Sequence, residues 1–211
     1  MGLLYCKERI DFMKDMIRKE RKGKLFCEYL TKNSIYYDYC IRHPEVVSCS
    51  ESAQYYKRYQ DYIGDDYCIC KNLLLREKKQ ERRIFLLIVP AFKKIDLKNL
   101  QEKLNTKKLE FVKQEEMYEL LQAVPGNLSV FNLIYDKQQQ VELVLDNEIF
   151  DKELVAFHPL YQGMSIFMKP KEVSKFLRLV NHSYQIENIK GKEFSYIENK
   201  EKSLQLSVRN S

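Results

Sequence analysis

Apolar positions recur along the chain at two periods, and each period predicts a different element. Leu3, Leu4, Ile10, Met13 and Ile17 fall roughly at helical spacing and predict an amphipathic helix over residues 1–24. Leu25 to Lys32 continues or restarts that helix. Ile35 to Ile41 is rich in Ile and Tyr and reads as a strand stopped at His43-Pro44, because the residue before a proline is held away from the helical region. Ser50 to Tyr59, opening with Ser then Glu, reads as a helix. Cys68 to Arg76 and Arg83 to Val89 are apolar strands joined by Glu77-Lys78-Lys79-Gln80-Glu81, a hairpin pattern whose second strand ends at Pro90.

The second half alternates in the same way. Asp96 can cap a helix over 96–104 that carries Leu97, Leu100 and Leu104 on one face. Leu109 to Val112 reads as a short strand. Gln114 to Gln122 reads as a helix ended before Pro125-Gly126. Ser129 to Tyr135 and Val141 to Leu145 read as strands linked across Asp136-Lys137-Gln138, and Ser165 to Met168 as another. Pro170 stands at the favoured first position of a helix running to about Val180. Tyr184 to Ile189 is a last strand, and the tail from Lys190 is polar with weak alternation at Phe194/Tyr196 and Leu204/Leu206/Val208. The pattern is that of one α/β domain with an appendage at each end.

Composition adds constraints. At 211 residues, 45% hydrophobic and 31% charged, the chain can bury a real core and fits neither the disordered nor the membrane-spanning class. Its longest apolar run, Ile84 to Val89, is six residues, far short of a bilayer span. The net charge of +6 is unevenly spread: residues 1–24 hold eight Lys/Arg and four Asp/Glu, which leaves a surplus of two for the other 187 residues. The N-terminal helix can therefore be a solvated helix docked on the body, a contact for RNA backbone, or a membrane-surface helix. Charged residues follow closely on Met-Gly-Leu-Leu and no apolar signal core is visible, so a cytoplasmic setting with reduced thiols is expected for Cys6, Cys27, Cys40, Cys49, Cys68 and Cys70.

Several chemistries lack their signatures. His43, His158 and His182 are not at metal-ligand spacing, and Cys68-x-Cys70 has no second pair, so no metal site and no cofactor are expected. In a strand the two thiols share a face, where they read as small apolar residues or as a redox pair. Neither GxGxxG, GxxxxGK nor GxSxG occurs.

Three segments change the picture when taken together. They are Cys70-Lys71-Asn72-Leu73-Leu74-Leu75-Arg76, then Pro125-Gly126-Asn127-Leu128-Ser129-Val130-Phe131, then Phe157-His158-Pro159-Leu160. In order and spacing they resemble the YbaK-like editing domains, which include the insertion domain of bacterial prolyl-tRNA synthetases and its free-standing relatives. The Lys-Asn-Leu strand and the Phe-His-Pro turn look most like the prolyl-tRNA deacylases that remove alanine. The resemblance spans about residues 25–189, setting off 1–24 as an extension and 190–211 as a tail. It implies a single editing domain, with a mixed, mostly antiparallel, curved sheet surrounded by helices.

The same resemblance implies a hydrolase that cleaves the ester between a wrong amino acid and tRNA, most of all Ala-tRNA(Pro). The implied partners are tRNA and, transiently, prolyl-tRNA synthetase. Lys71 matches the family's essential lysine, His158 the histidine of its turn, and Gly126 opens its Gly-x-x-x-Pro loop; Asn72, Asn127, Ser129 and Val130 are the expected substrate contacts. Val130 stands where the family has Pro, a departure expected to loosen the loop or reshape the pocket. It also leaves room for a second reading, a tRNA-binding or regulatory module of the same fold without catalysis. A third reading, a thiol-dependent protein using Cys68 and Cys70, rests on those two residues alone.

The residues themselves allow matching and plainer roles. Lys71 offers three donors and a positive charge that a half-desolvated strand would strengthen, or it is a lysine snorkelling from a strand end. Gly126 lets an aminoacyl group approach closely, or makes an ordinary Pro-Gly turn. His158, held extended before Pro159, can face an amine or a water, or be a satisfied structural histidine. Asn72 is expected on the opposite face of its strand from Lys71.

Overall fold

The computed structural model describes residues 2–46, 48–78 and 83–193, with the backbone alone over 2–13 and 192–193. The apolar side chains of Leu3, Leu4, Ile10 and Met13, part of the charged connection after Lys78, and the alternation at Phe194/Tyr196 and Leu204/Leu206/Val208 lie outside the described residues.

Helix α1 (Gly2–Lys32) is continuous, with no break at residue 24. Its last turns bury Phe26, Cys27 and Leu30 in the main core, and Gly23 lets its backbone approach Tyr161, where a β-carbon would lie 3.1 Å from Tyr161 Cβ. Ser34 adopts a positive φ of 60° and the Ile35 N–H returns to the Leu30 carbonyl at 3.0 Å, so Ile35 closes the helix instead of opening a strand. Strand β1 (Tyr39–Arg42) is accordingly shorter and later than expected.

Helix α2 (Cys49–Tyr56) starts earlier than its pattern suggested because Ser48, rather than Ser50, accepts the capping bond from Glu51 N–H. It passes through a 3₁₀ turn at Lys57–Tyr59 into α3 (Gln60–Ile63). Strands β2 (Tyr67–Glu77) and β3 (Ile84–Pro90) pair antiparallel, as the hairpin pattern predicts. They lead to β4 (Lys93–Ile95), α4 (Leu97–Lys103), β5 (Leu109–Phe111) and α5 (Gln114–Leu121). Asp96 caps α4 and Leu100 and Leu104 are buried, but Leu97 is 50% exposed and lies outside the packed face.

The predicted strand Ser129 to Tyr135 is instead a 3₁₀ helix, Val130–Tyr135. The Ser129 hydroxyl accepts from Phe131 N–H, and the Asn132 side chain accepts from Ser129 N–H at 2.8 Å, a reciprocal cap that overrides the β-rich composition. The chain ends in β6 (Val141–Asp146), β7 (Leu154–Phe157), β8 (Met164–Met168), α6 (Pro170–Leu179), β9 (Tyr184–Glu187) and β10 (Gly191–Glu193). The tail thus begins with a strand, which pairs with β4.

One mixed sheet, ordered β1-β8-β7-β2-β3-β6-β9 with β5 beside β2, forms the centre. The pairs β1–β8, β8–β7, β2–β3 and β2–β5 are antiparallel, while β7–β2, β3–β6 and β6–β9 are parallel. Helices cover both faces, so β3 is apolar on both sides. Leu86 and Ile88 pack toward α1, α5 and α6, whereas Phe85, Leu87 and Val89 pack toward α4. Among the described residues no helix is long and apolar enough to cross a membrane.

Candidate active site

The sheet opens where two strands leave one edge of β2. Strand β7 pairs with β2 only over Tyr67–Ile69, and β5 takes the same edge only from Leu75 to Glu77. The gap between them holds a cavity of about 440 Å³ lined by Lys71, Asn72, Gly126, Leu128, His158 and the start of α2, among others. Three segments distant in sequence meet there.

Lys71 is half-buried and its ammonium donates to the backbone carbonyl of Lys93 at 3.1 Å. Burial pulls its pKa below the ordinary lysine value, partly countered by the nearby Cys49 thiol. One donor is thus used for anchoring and two are left for a ligand. Asn72 also lines the cavity, contrary to the expectation of opposite faces, because the cavity wraps the open edge of β2 instead of lying on one side. Its Oδ1 is buried without a partner.

Gly126 occupies the third position of a turn closed by Asn127 N–H to the Val124 carbonyl at 2.9 Å, with φ of +83°. Pro125 before it and the positive φ match a type II turn. Asn127 does not line the cavity; its Nδ2 donates to the Leu160 carbonyl at 3.3 Å and ties this turn to the one containing His158. Ser129 and Val130 also stand away from the cavity. Ser129 is fully buried and caps the 3₁₀ helix, and Val130 is fully buried in the main core. The family's proline position is the first residue of that helix, where a cap formed by Ser129 and Asn132 holds the backbone without proline.

His158 is oriented from behind. Its Nδ1 lies 2.9 Å from the Met164 carbonyl, which can only accept, so Nδ1 carries the proton and Nε2 keeps its lone pair. Burial, aided by nearby His43, pushes the imidazole down to about 4, although the bond to Met164 opposes the shift. The ring is a neutral acceptor at ordinary pH.

A buried cluster missed by sequence reasoning supports it. His43 Nδ1 donates to the Pro44 carbonyl at 2.8 Å, so its Nε2 must accept from the Ser165 hydroxyl at 2.8 Å. Ser165 then accepts from the Tyr56 hydroxyl at 2.6 Å, and lies 3.3 Å from His158 Nδ1. The only signal in the sequence was the repeat of the His-Pro pair at His43-Pro44 and His158-Pro159. Among the described residues no three His, Cys, Asp or Glu side chains gather as a metal site. The assembly provides a held cation, an unpartnered amide oxygen, close access at Gly126 and an imidazole acceptor, the means of positioning an ester without a protein nucleophile.

Comparison with known proteins places the chain in a family. Residues 43–176 match the family model of the aminoacyl-tRNA editing domain. The chain is 30% identical over 125 residues to the prolyl-tRNA editing protein ProX of Acetoanaerobium sticklandii, covering 59% of this chain and 75% of that protein. It is 29% identical over 147 residues to the prolyl-tRNA synthetase associated domain-containing protein 1 of Xenopus laevis, covering 68% of this chain and 83% of that one. The fold is similar, at a TM-score of 0.53 and 18% identity, to a crystal structure of a candidate trans-editing enzyme for prolyl-tRNA synthetase, covering 72% of this chain and 86% of that one. The chain therefore belongs to the aminoacyl-tRNA editing domain family and is an aminoacyl-tRNA deacylase, with tRNA as its substrate.

Proposed function

We propose that this deacylase acts in trans on mischarged tRNA(Pro) and that alanine is the amino acid it removes. The observation that carries the reading is the convergence of Lys71, Asn72, Gly126 and His158 on one cavity whose remaining wall includes Val46, Leu128, Ala156 and Phe157. That apolar part of the wall suits a small apolar side chain, beside a polar part formed by Ser48, Cys49, Ser50 and Ser52. The named relatives bear on prolyl-tRNA editing, and a cytoplasmic setting, with transient contact to the synthetase, belongs to the same reading.

In this mechanism the Lys71 ammonium binds the terminal phosphate or ribose of tRNA, and its field is strengthened by partial burial. Gly126 admits the aminoacyl group close to the backbone. With a pKa of about 4, His158 is a poor general base at neutral pH, so it holds the substrate amine or the attacking water as an acceptor. Discrimination is by shape, as a proline site cannot strongly reject a smaller amino acid when one methylene is worth only about 1–3 kcal/mol.

The test is a hydrolysis panel over Ala-, Ser-, Cys- and Thr-charged tRNA(Pro). Fastest turnover is expected on the alanyl ester, with Lys71→Ala lowering kcat/KM by up to about 100-fold, the scale of losing one charge-assisted contact to the substrate. Faster turnover of another ester would replace alanine, and activity unchanged in Lys71→Ala would remove this site.

A further inference from the structure

A second cleft, separate from the active-site cavity, lies between α1 and β1. It measures about 430 Å³ and is lined by Cys27, Tyr37, Cys40, Arg42 and Met164, among others. Cys27 is on the buried face of α1, while Cys40 is exposed on β1, the edge strand of the sheet. Both thiols line this one cleft, and each acts on the ionisation of the other. Cys27 Sγ also contacts Met164 Sδ at 4.0 Å. Two cysteines thirteen positions apart are thus brought together by the docking of a helix on a strand, and neither lines the catalytic cavity.

We propose that Cys27 and Cys40 are a reversible disulfide-forming pair, oxidised by a low-molecular-weight disulfide, that covalently latches α1 to β1. The division of labour follows from exposure and charge. Cys40 is reachable, and the hydrogen bond from Cys27, together with Arg42, lowers its thiol to about 7, so an appreciable thiolate fraction is present at neutral pH. Cys27 is held well above the ordinary thiol range by Cys40 and by burial. Cys40 thiolate attacks one sulfur of the small disulfide and releases one thiolate, leaving a mixed disulfide. Cys27 then loses its proton and attacks Cys40 Sγ, displacing the second small thiolate. Two protein thiols have become one disulfide, and one small disulfide has become two small thiols.

The latch bears on the strand that orients His158. Strand β1 pairs with β8 at Ile41↔Ser165 and Arg42↔Met164, and Met164 both touches Cys27 through sulfur and accepts from His158 through its carbonyl.

The experiment incubates the full chain with oxidised glutathione and maps the products by non-reducing proteolysis and mass spectrometry. A loss of two mass units, localised to a Cys27–Cys40 cross-link and reversed by dithiothreitol, is expected. The oxidised form should unfold about 5 °C higher, since the bridge closes a short loop in the unfolded chain. Cys27→Ser should stop at glutathione attached to Cys40, and Cys40→Ser should slow uptake at this site at least tenfold. The proposal is overturned if Cys40 takes up glutathione without closure onto Cys27, if the cross-link joins other cysteines, or if neither thiol reacts while others do. Should either Ser variant fold poorly, the wild-type cross-link map alone decides.

Discussion

The carbonyl of Met164 sits 2.9 Å behind Nδ1 of His158, and this one contact fixes which imidazole nitrogen can face a substrate. It also bears on pH dependence. The folded pKa of about 4 lies below the ordinary value of 6.5, mainly through burial. An unfolded histidine therefore takes up a proton as pH falls through about 6.5, whereas the folded one does so only near 4. Stability is complete above about 6.5 and falls as pH drops toward 4, by up to about 3 kcal/mol for this group. Urea unfolding across that window should show a slope that His158→Gln reduces by one proton; an unchanged slope would refute the assignment. For the same reason kcat/KM should not titrate near 6.5 through this residue.

Lys93 serves two purposes with two parts of itself. Its carbonyl anchors Lys71, while its ammonium, 1% exposed, meets Asp146 Oδ2 at 2.7 Å, Glu148 Oε1 at 2.7 Å and the Ile189 carbonyl at 2.9 Å. Asp146 is fully buried. Lys93→Met should cost about 3–5 kcal/mol because it strands the Asp146 carboxylate, and adding Asp146→Leu should recover most of that loss. Denaturant titration of the single and double variants measures both. In the double variant kcat/KM should stay within a few-fold of wild type, because the anchor of Lys71 is backbone.

These relationships show where the chain was legible. Strand β3 was readable because both its faces are buried, which leaves an apolar run, β2 because its largely buried apolar stretch Leu73-Leu74-Leu75 faces that run across a hairpin, and α6 because Pro170 marks its start. The run Val130-Phe131-Asn132-Leu133-Ile134-Tyr135 misled because its composition is that of a strand, while its conformation is decided by Asn132 reaching back to Ser129. Leu154–Phe157 and Lys93–Ile95, of four and three residues, are too short to show a period in the sequence. Within the site, Lys71, Gly126 and His158 were found through motif order and do meet at one cavity. Ser129 and Val130 were drawn in by proximity to Gly126, but the helical turn carries them away from it. Tyr56, His43 and Ser165 left almost no trace, because sheet pairing and the docking of α2, not spacing, bring them together.

Gly126 is held at a φ that L-residues rarely adopt, and a β-carbon there would lie 2.6 Å from Gln162 Nε2. The Gln162 end can swing aside, so the lasting penalty is the backbone, about 1–2 kcal/mol. Gly126→Ala should lower stability by that amount and reduce kcat/KM further through the altered approach to the ester. Gly126→Ala combined with Gln162→Ala should restore little stability. Full recovery in chemical denaturation would mean that the clash, not φ, dominates.

Ser165 is the hub of the buried cluster, and its role predicts a specific non-additivity. It is fully buried, donates to His43 Nε2 and accepts from Tyr56. Burial pushes the Tyr56 hydroxyl up to about 12, so it stays a donor at any working pH. Ser165→Ala orphans a buried donor and a buried acceptor, at about 1–3 kcal/mol each, whereas Tyr56→Phe removes one partner and leaves Ser165 bonded to His43. Once Ser165 is alanine, the Tyr56 hydroxyl has lost its acceptor, so Tyr56→Phe should then be neutral or stabilising. The double variant should thus be less destabilised than the sum of the singles by at least about 1 kcal/mol, measured by a double-mutant cycle in urea. Strict additivity would mean that the two hydroxyls act independently and that the chain from Tyr56 through Ser165 to His43 does not operate as a unit.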